Sequence, residues 1–335
     1  MEGELEMSMK VYIIRRIVYM LILLVFVSIL SFIIIQLPPG DYLTAYIARL
    51  RLSGQELDEA QIASLTRQYG LDLPLYQQYL KWIWNILHGD FGRSFQWNRP
   101  VRDLLAERLP FTIAISLFSV IFTYVMAIPI GIYSATYQYS IFDYIFTVVG
   151  FVGLAVPNFL FAMILVYLFY RFFGISPLGL FSPSYLDAPW SWGKFVDMIN
   201  HMWIPVIAIG TAGTAGIIRV MRGCLLDELN KPYVITARAK GIPERKLLFK
   251  YPVRIAINPI ISTIGWTLPG IFSGETITAI TLMLPTVGPL LLEALMTQDM
   301  YLAGSIVLVL SFLTLVGTFI SDILLAVIDP RIRYM

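Results

Sequence analysis

The sequence predicts an all-α integral membrane protein with six membrane-crossing helices and both ends of the chain in the cytoplasm. Three observations carry that expectation. Only 14% of the 335 residues are charged, where soluble domains carry about 25%; 58% are hydrophobic, and mean hydropathy is +0.74. Six apolar runs reach the length of a span, about 20 residues: 17–37, 111–134, 144–172, 203–221, 258–280 and 303–328. Lysine and arginine gather on one side of those runs, which sets orientation.

The runs are apolar throughout, so they read as helices; barrel strands would alternate apolar and polar residues. The first follows Lys10, Arg15 and Arg16. It has the length of a full span and no small-residue cleavage site after it, so it reads as a retained helix and not a leader. The loop 219–257 holds nine Lys/Arg against three Asp/Glu, and Arg331 and Arg333 fall on the same side. The loops 173–202 and 281–302 hold Lys194 as their only Lys or Arg. The expected layout is therefore 1–37 as cytoplasmic N-terminus and first span, 38–110 as an extracytoplasmic helical segment, and 111–335 as a five-helix membrane core with a cytoplasmic loop at 220–257. The outer segment balances eight Lys/Arg with eight Asp/Glu, and long segments cross regardless of charge.

Within that outer segment, Leu75, Tyr79, Trp82, Ile83, Ile86 and Leu87 recur at helical spacing, and Gly89-Asp90 ends the run. Two readings fit: a helix lying on the outer membrane face, or the core helix of a small cap. In the spans, Pro157, Pro205 and Pro269 are expected to kink helices or open backbone groups. "GTAGTAG" at 210–216 allows close helix approach, read as tight packing before ligand contact. Trp190, Trp192 and Trp203 read as outer-interface anchors. Trp266, Ser273 and Glu275 in "GWTLPGIFSGET" are the candidate pathway lining. Glu275 either faces a pathway or caps local backbone, and Asp322 is placed to pair with a basic group.

The sharpest local signal is "ITARAKGIPERKLLFKYPVRIAINP", from Ile235 to Pro259. Pro232 stands at a helix start, Gly241 at a helix stop, and Pro243 with Glu244 at a second start. Ala237 and Ala239 keep the first short helix slim, so that another backbone can approach. Arg238, Lys240, Arg245, Lys246, Lys250 and Arg254 face a single acid, Glu244. Charge alone fits an anchor on anionic lipid. The small residues, the glycine hinge and the second proline fit a rigid knob for a protein groove.

"YVITARAKGI" resembles the cytoplasmic EAA loop of ABC importer permeases, in the variant of dipeptide and oligopeptide permeases. Gly241 matches the glycine of that pattern and Ala237 its second alanine. Ile235 and Thr236 stand where the general pattern has Glu and Ala, and Val253 and Arg254 where it has Leu-Pro. The likeness extends along the chain, through "RRIVYMLILLVFVSILSFIIIQLPPGD", "YGLDLPLYQQYLKWIWNILHGDFGRSF", "RPVRDLLAERLPFTIAIS", "GETITAITLMLPTVGPLLLEAL" and "DPRIR". It implies the type I importer permease fold and a cell-membrane transport subunit that is not itself an enzyme. It also implies a second, unlike permease subunit, two cytoplasmic ATPases that bind the ATP and magnesium, and an extracytoplasmic solute-binding protein. Peptides are the first-choice cargo, with oligosaccharides or nickel carried by relatives. The coupling loop would be Ile235, Thr236, Ala237, Arg238, Ala239, Lys240, Gly241, Pro243 and Glu244.

The residues themselves exclude several classes. There is no GxxxxGK[ST] phosphate loop. One cysteine, Cys224, and two histidines leave no internal disulfide and no metal site built on several Cys or His. A net charge of +2 makes no case for nucleic acid. An ion-coupled secondary transporter is the rival, resting on Glu275 and Asp322. An intramembrane enzyme would need residue pairs that are scarce here.

Overall fold

Apolar runs bounded by glycine and proline fold into helices throughout the computed structural model. It describes residues 2–36, 58, 62, 66, 72–94 and 96–328, without the side chains of 2–8, 34–36, 265–266, 268–275 and 328. The helices are α1 (Glu2–Gln36), α2 (Leu75–Leu87), α3 (Val101–Thr136), α4 (Ile141–Ala155), α5 (Asn158–Phe173), α6 (Trp192–Leu229), α7 (Pro232–Ala239), α8 (Glu244–Lys250), α9 (Pro252–Ala256), α10 (Asn258–Thr281), α11 (Val287–Met296) and α12 (Met300–Ile328). A 3₁₀ turn, Pro183–Tyr185, precedes α6. α1, α3, α6 and α12 each contain a stretch long and apolar enough to cross a membrane.

The run 144–172 is not one helix. It divides into α4 and α5, whose axes bend by 110°. Val156 is extended (φ −86°, ψ 122°), as a residue before proline prefers. Pro157 lacks the N–H that would continue the ladder. α6 and α10 run on through Pro205 and Pro269, so of the three prolines only Pro157 ends a helix.

The chain divides into two units, residues 1–17, 111–285 and 316–335, and residues 18–110 and 286–315. In the first, both helices of the bent pair pack on α6. Arg222 Nη2 lies 3.1 Å from Asp143 Oδ2 at the start of α4. A methyl at Gly150 would meet Ala215 at 3.6 Å, and one at Gly153 would meet Thr211 Cγ2 at 2.8 Å. On α5, the Phe169 ring is 5.5 Å from Trp203. Beyond α5, Leu180 and Phe181 are buried with Met198 and Met202. The first half of the "GTAGTAG" stretch packs closely against α3. A methyl at Gly210 would meet Phe122 Cδ1 at 2.6 Å, and Thr123 Oγ1 donates to the Gly210 carbonyl (3.0 Å). Asp322 pairs with Arg16 (3.3 Å), the basic group its position calls for.

In the second unit, α2 turns Tyr79 and Trp82 toward Phe32 of α1, and the Tyr79 and Ser28 hydroxyls share a hydrogen bond (2.8 Å). Its opposite face leaves Tyr76, Leu80, Trp84 and Leu87 exposed in a row. Gln77, Lys81 and Asn85 fill the remaining sector. The helix thus presents a protein-facing, an apolar and a polar sector. Gly89 follows it at φ 80°. Fully buried Asp299 accepts from Ser94 Oγ (2.6 Å) and from the backbone N–H of Gln96 (3.1 Å) and Leu302 (3.2 Å). It thereby caps α12 and clasps the turn before α3. Val101, Leu104, Val287, Leu290, Leu302 and Ile306 form the core beside it.

Candidate functional site

The basic hairpin is a small knob with its own core. Pro232 opens α7 at its first turn, and Gly241 ends it in the left-handed region (φ 75°). The Gly241 N–H donates to the Arg238 carbonyl (3.0 Å) and the Ile242 N–H to the Ala237 carbonyl (3.4 Å). That is a Schellman closure, with Ile242 folding back as its apolar partner. Pro243 occupies the cap before α8 and not its first helical position; Glu244 begins the helix. Val234, Ala237 and Leu247 are buried against one another, with Tyr233, Ile242 and Tyr251 around them.

The structure therefore separates the two alanines that the sequence treats alike. Ala237 is only 7% exposed and lets α8 approach α7 within the chain. Ala239 is exposed. Ile235, Thr236, Arg238, Lys240, Gly241, Pro243 and Glu244 are exposed with it. Ile235, at 55%, is an apolar side chain presented outward from a polar knob.

Ion pairing stiffens the knob. Arg238 Nε donates to Glu244 Oε1 (2.5 Å) and Nη2 to Oε2 (3.2 Å). These bonds hold the Glu244 carboxyl below its ordinary range, and Glu244 in turn raises Arg238. Tyr233 donates to Glu228 Oε2 (2.5 Å) at the foot of the knob. Burial, then that hydrogen bond, push its phenol up to about 12.

A third helix in the loop, α9, adds to the two that the sequence predicts. It ties the knob to the long helices. Val253 and Ala256 are buried with Ile217, Met221 and Leu225 of α6, Ala127 and Ala135 of α3, and Ile260 of α10, and Leu248 packs on the same cluster. Pro252, at the head of α9, was the available signal. The candidate pathway residues Trp266, Ser273 and Glu275 fall in α10, and their side chains lie outside the described residues. Nearby on α10, Thr263 and Thr267 share hydrogen bonds with Tyr124 of α3 (2.8 and 3.1 Å), a hydroxyl cluster that the sequence reading missed.

Comparison with known families identifies the chain. Residues 127–334 match the family "Binding-protein-dependent transport system inner membrane component". Residues 9–116 match the N-terminal component of the same systems. The chain belongs to this family. The permease is 36% identical over 327 residues to the oligopeptide transport system permease protein AppB of Bacillus subtilis, covering 97% of this chain and 100% of that one. It is 31% identical to the oligopeptide transport system permease protein OppB of Haemophilus influenzae (96% and 99% covered). It is 29% identical to the dipeptide transport system permease protein DppB of Escherichia coli K12 (96% and 98% covered). The protein is thus a permease subunit of an ABC-type, binding-protein-dependent transport system and a multi-pass protein of the cell membrane.

Proposed function

We propose that this permease, with a second and unlike permease subunit, forms the pathway of a peptide importer. Two cytoplasmic ATPases drive it through the hairpin, and an extracytoplasmic binding protein delivers the cargo. The observation that carries the reading is the hairpin itself, a knob with a private core and an exposed outer face. α9 roots it on α3, α6 and α10. A push on the knob reaches the long helices through Leu248 and Val253. ATP closing an ATPase pair would supply the push and bias the spans between two packed arrangements. ATP and magnesium bind to those partners, not to this chain. Peptide cargo is inferred from the names of the relatives.

The reading includes six crossings with both ends in the cytoplasm. Counting the bent pair as one span is supported by its two ends: α4 starts beside Arg222, and Leu180 and Phe181, after α5, pack by Met198 near the other end of α6. α10 has 24 residues, enough for another. The basic loop then lies in the cytoplasm, as the positive-inside rule requires.

The ion-coupled rival loses part of its support, because Asp322 pairs with Arg16. The deciding experiment is uptake of a labelled peptide into vesicles. The account expects uptake by the full assembly with ATP, and none when the ATPases cannot hydrolyse it. Uptake by this chain alone on a proton or sodium gradient would replace this reading with the rival.

A further inference from the structure

We propose that the groove along the seam of α4 and α6 binds one anionic phospholipid of the cytoplasmic leaflet, with its phosphate on Arg219 and Arg222 and an acyl chain lying along the groove. The groove holds about 230 Å³ and is lined by Phe146, Gly150, Leu154, Ala215 and Ile218 together with the two arginines. Gly150 and Ala215 form its floor, where the helices approach closely: a methyl at Gly150 would touch Ala215 at 3.6 Å.

The charge at its mouth is incomplete. Asp143 receives Arg222 through both oxygens (3.3 and 3.1 Å) and also the Tyr139 N–H (3.0 Å). Arg219, one turn away on the same face, has no acidic partner among the described residues. Its guanidinium lies 5.2 Å from the centre of the Phe151 ring. Two cations and one carboxylate leave a net positive charge where the apolar run 203–221 ends. That is headgroup depth, where anionic lipid attracts basic side chains. Apolar walls below a cationic rim suit an acyl chain below a phosphate; a peptide would leave its backbone groups unpaired there.

The test is native mass spectrometry of the intact complex, extracted in mild detergent and offered phosphatidylglycerol and phosphatidylcholine at equal concentration. The wild-type complex is expected to retain one phosphatidylglycerol in preference to phosphatidylcholine. Arg219→Gln should lower that occupancy about fivefold, and Arg219→Lys should restore most of it. Gly150→Leu, which leaves every charge in place, should lower occupancy by both lipids. The same spectra report whether each variant still assembles; should Arg219→Gln fail to, Arg219→Lys and Gly150→Leu still decide. Equal retention of the two lipids, unchanged occupancy in Gly150→Leu, or a wild-type complex that carries no lipid would each overturn the proposal.

Discussion

Gly241 has open space around the position of a side chain, so its need for glycine is conformational and not steric. Left-handed backbone costs a residue with a Cβ about 1–2 kcal/mol, and asparagine least. Gly241→Asn should therefore keep most coupled uptake, and Gly241→Val should lose more of it. Leu247 is fully buried in the knob. Leu247→Ala should cost about 2–5 kcal/mol locally, read as lost backbone hydrogen-exchange protection across α7 and α8. The Arg238–Glu244 pair gives a pH dependence of definite sign. Glu244 is held below its ordinary value, so its contribution is present above that value and lost as pH falls through the depressed one. Protection at Ile242 should then show an acid-side step that Glu244→Gln lacks. Proline and glycine made the knob readable in the sequence because both act through local backbone geometry. The different fates of Ala237 and Ala239 were not readable, because burial depends on where α8 returns.

At the scale of helices, hydropathy located the spans but not their ends. α6 begins at Trp192, ahead of its apolar run at 203, and α3 begins at Val101, ahead of 111. Helices continue beyond the lipid wherever backbone and capping allow, and hydropathy does not register that part. The division of α4 from α5 is the converse case: apolar residues continue, and one proline ends the backbone ladder. Packing predictions follow from the glycines of α6. Gly210→Leu would drive side-chain atoms into Phe122 and the Ser119 carbonyl, and should cost about 1–3 kcal/mol. Gly216 has nothing within 4 Å, so Gly216→Ala should be neutral or gain up to about 1 kcal/mol of helix propensity. Thermal unfolding of the purified complex separates the two.

For the whole molecule, topology and coupling are the claims. In a Cys224→Ser background, Lys250→Cys should label only from the cytoplasmic side and Asp187→Cys only from outside. Labelling of both from one side would reverse part of the six-crossing layout. The family signal was legible because it is spread in order along the chain. The pathway was not, since cargo contact depends on which helix faces a cavity shared with another subunit. Coupling is tested most directly by co-purification of the assembly with wild type and Ala239→Trp. Ala239 is exposed and outside the knob's core, so the substitution blocks approach without unfolding the hairpin. The account predicts that both chains bring down the second permease, and that the ATPases accompany wild type but leave the variant. ATPases retained at full yield by Ala239→Trp would contradict it.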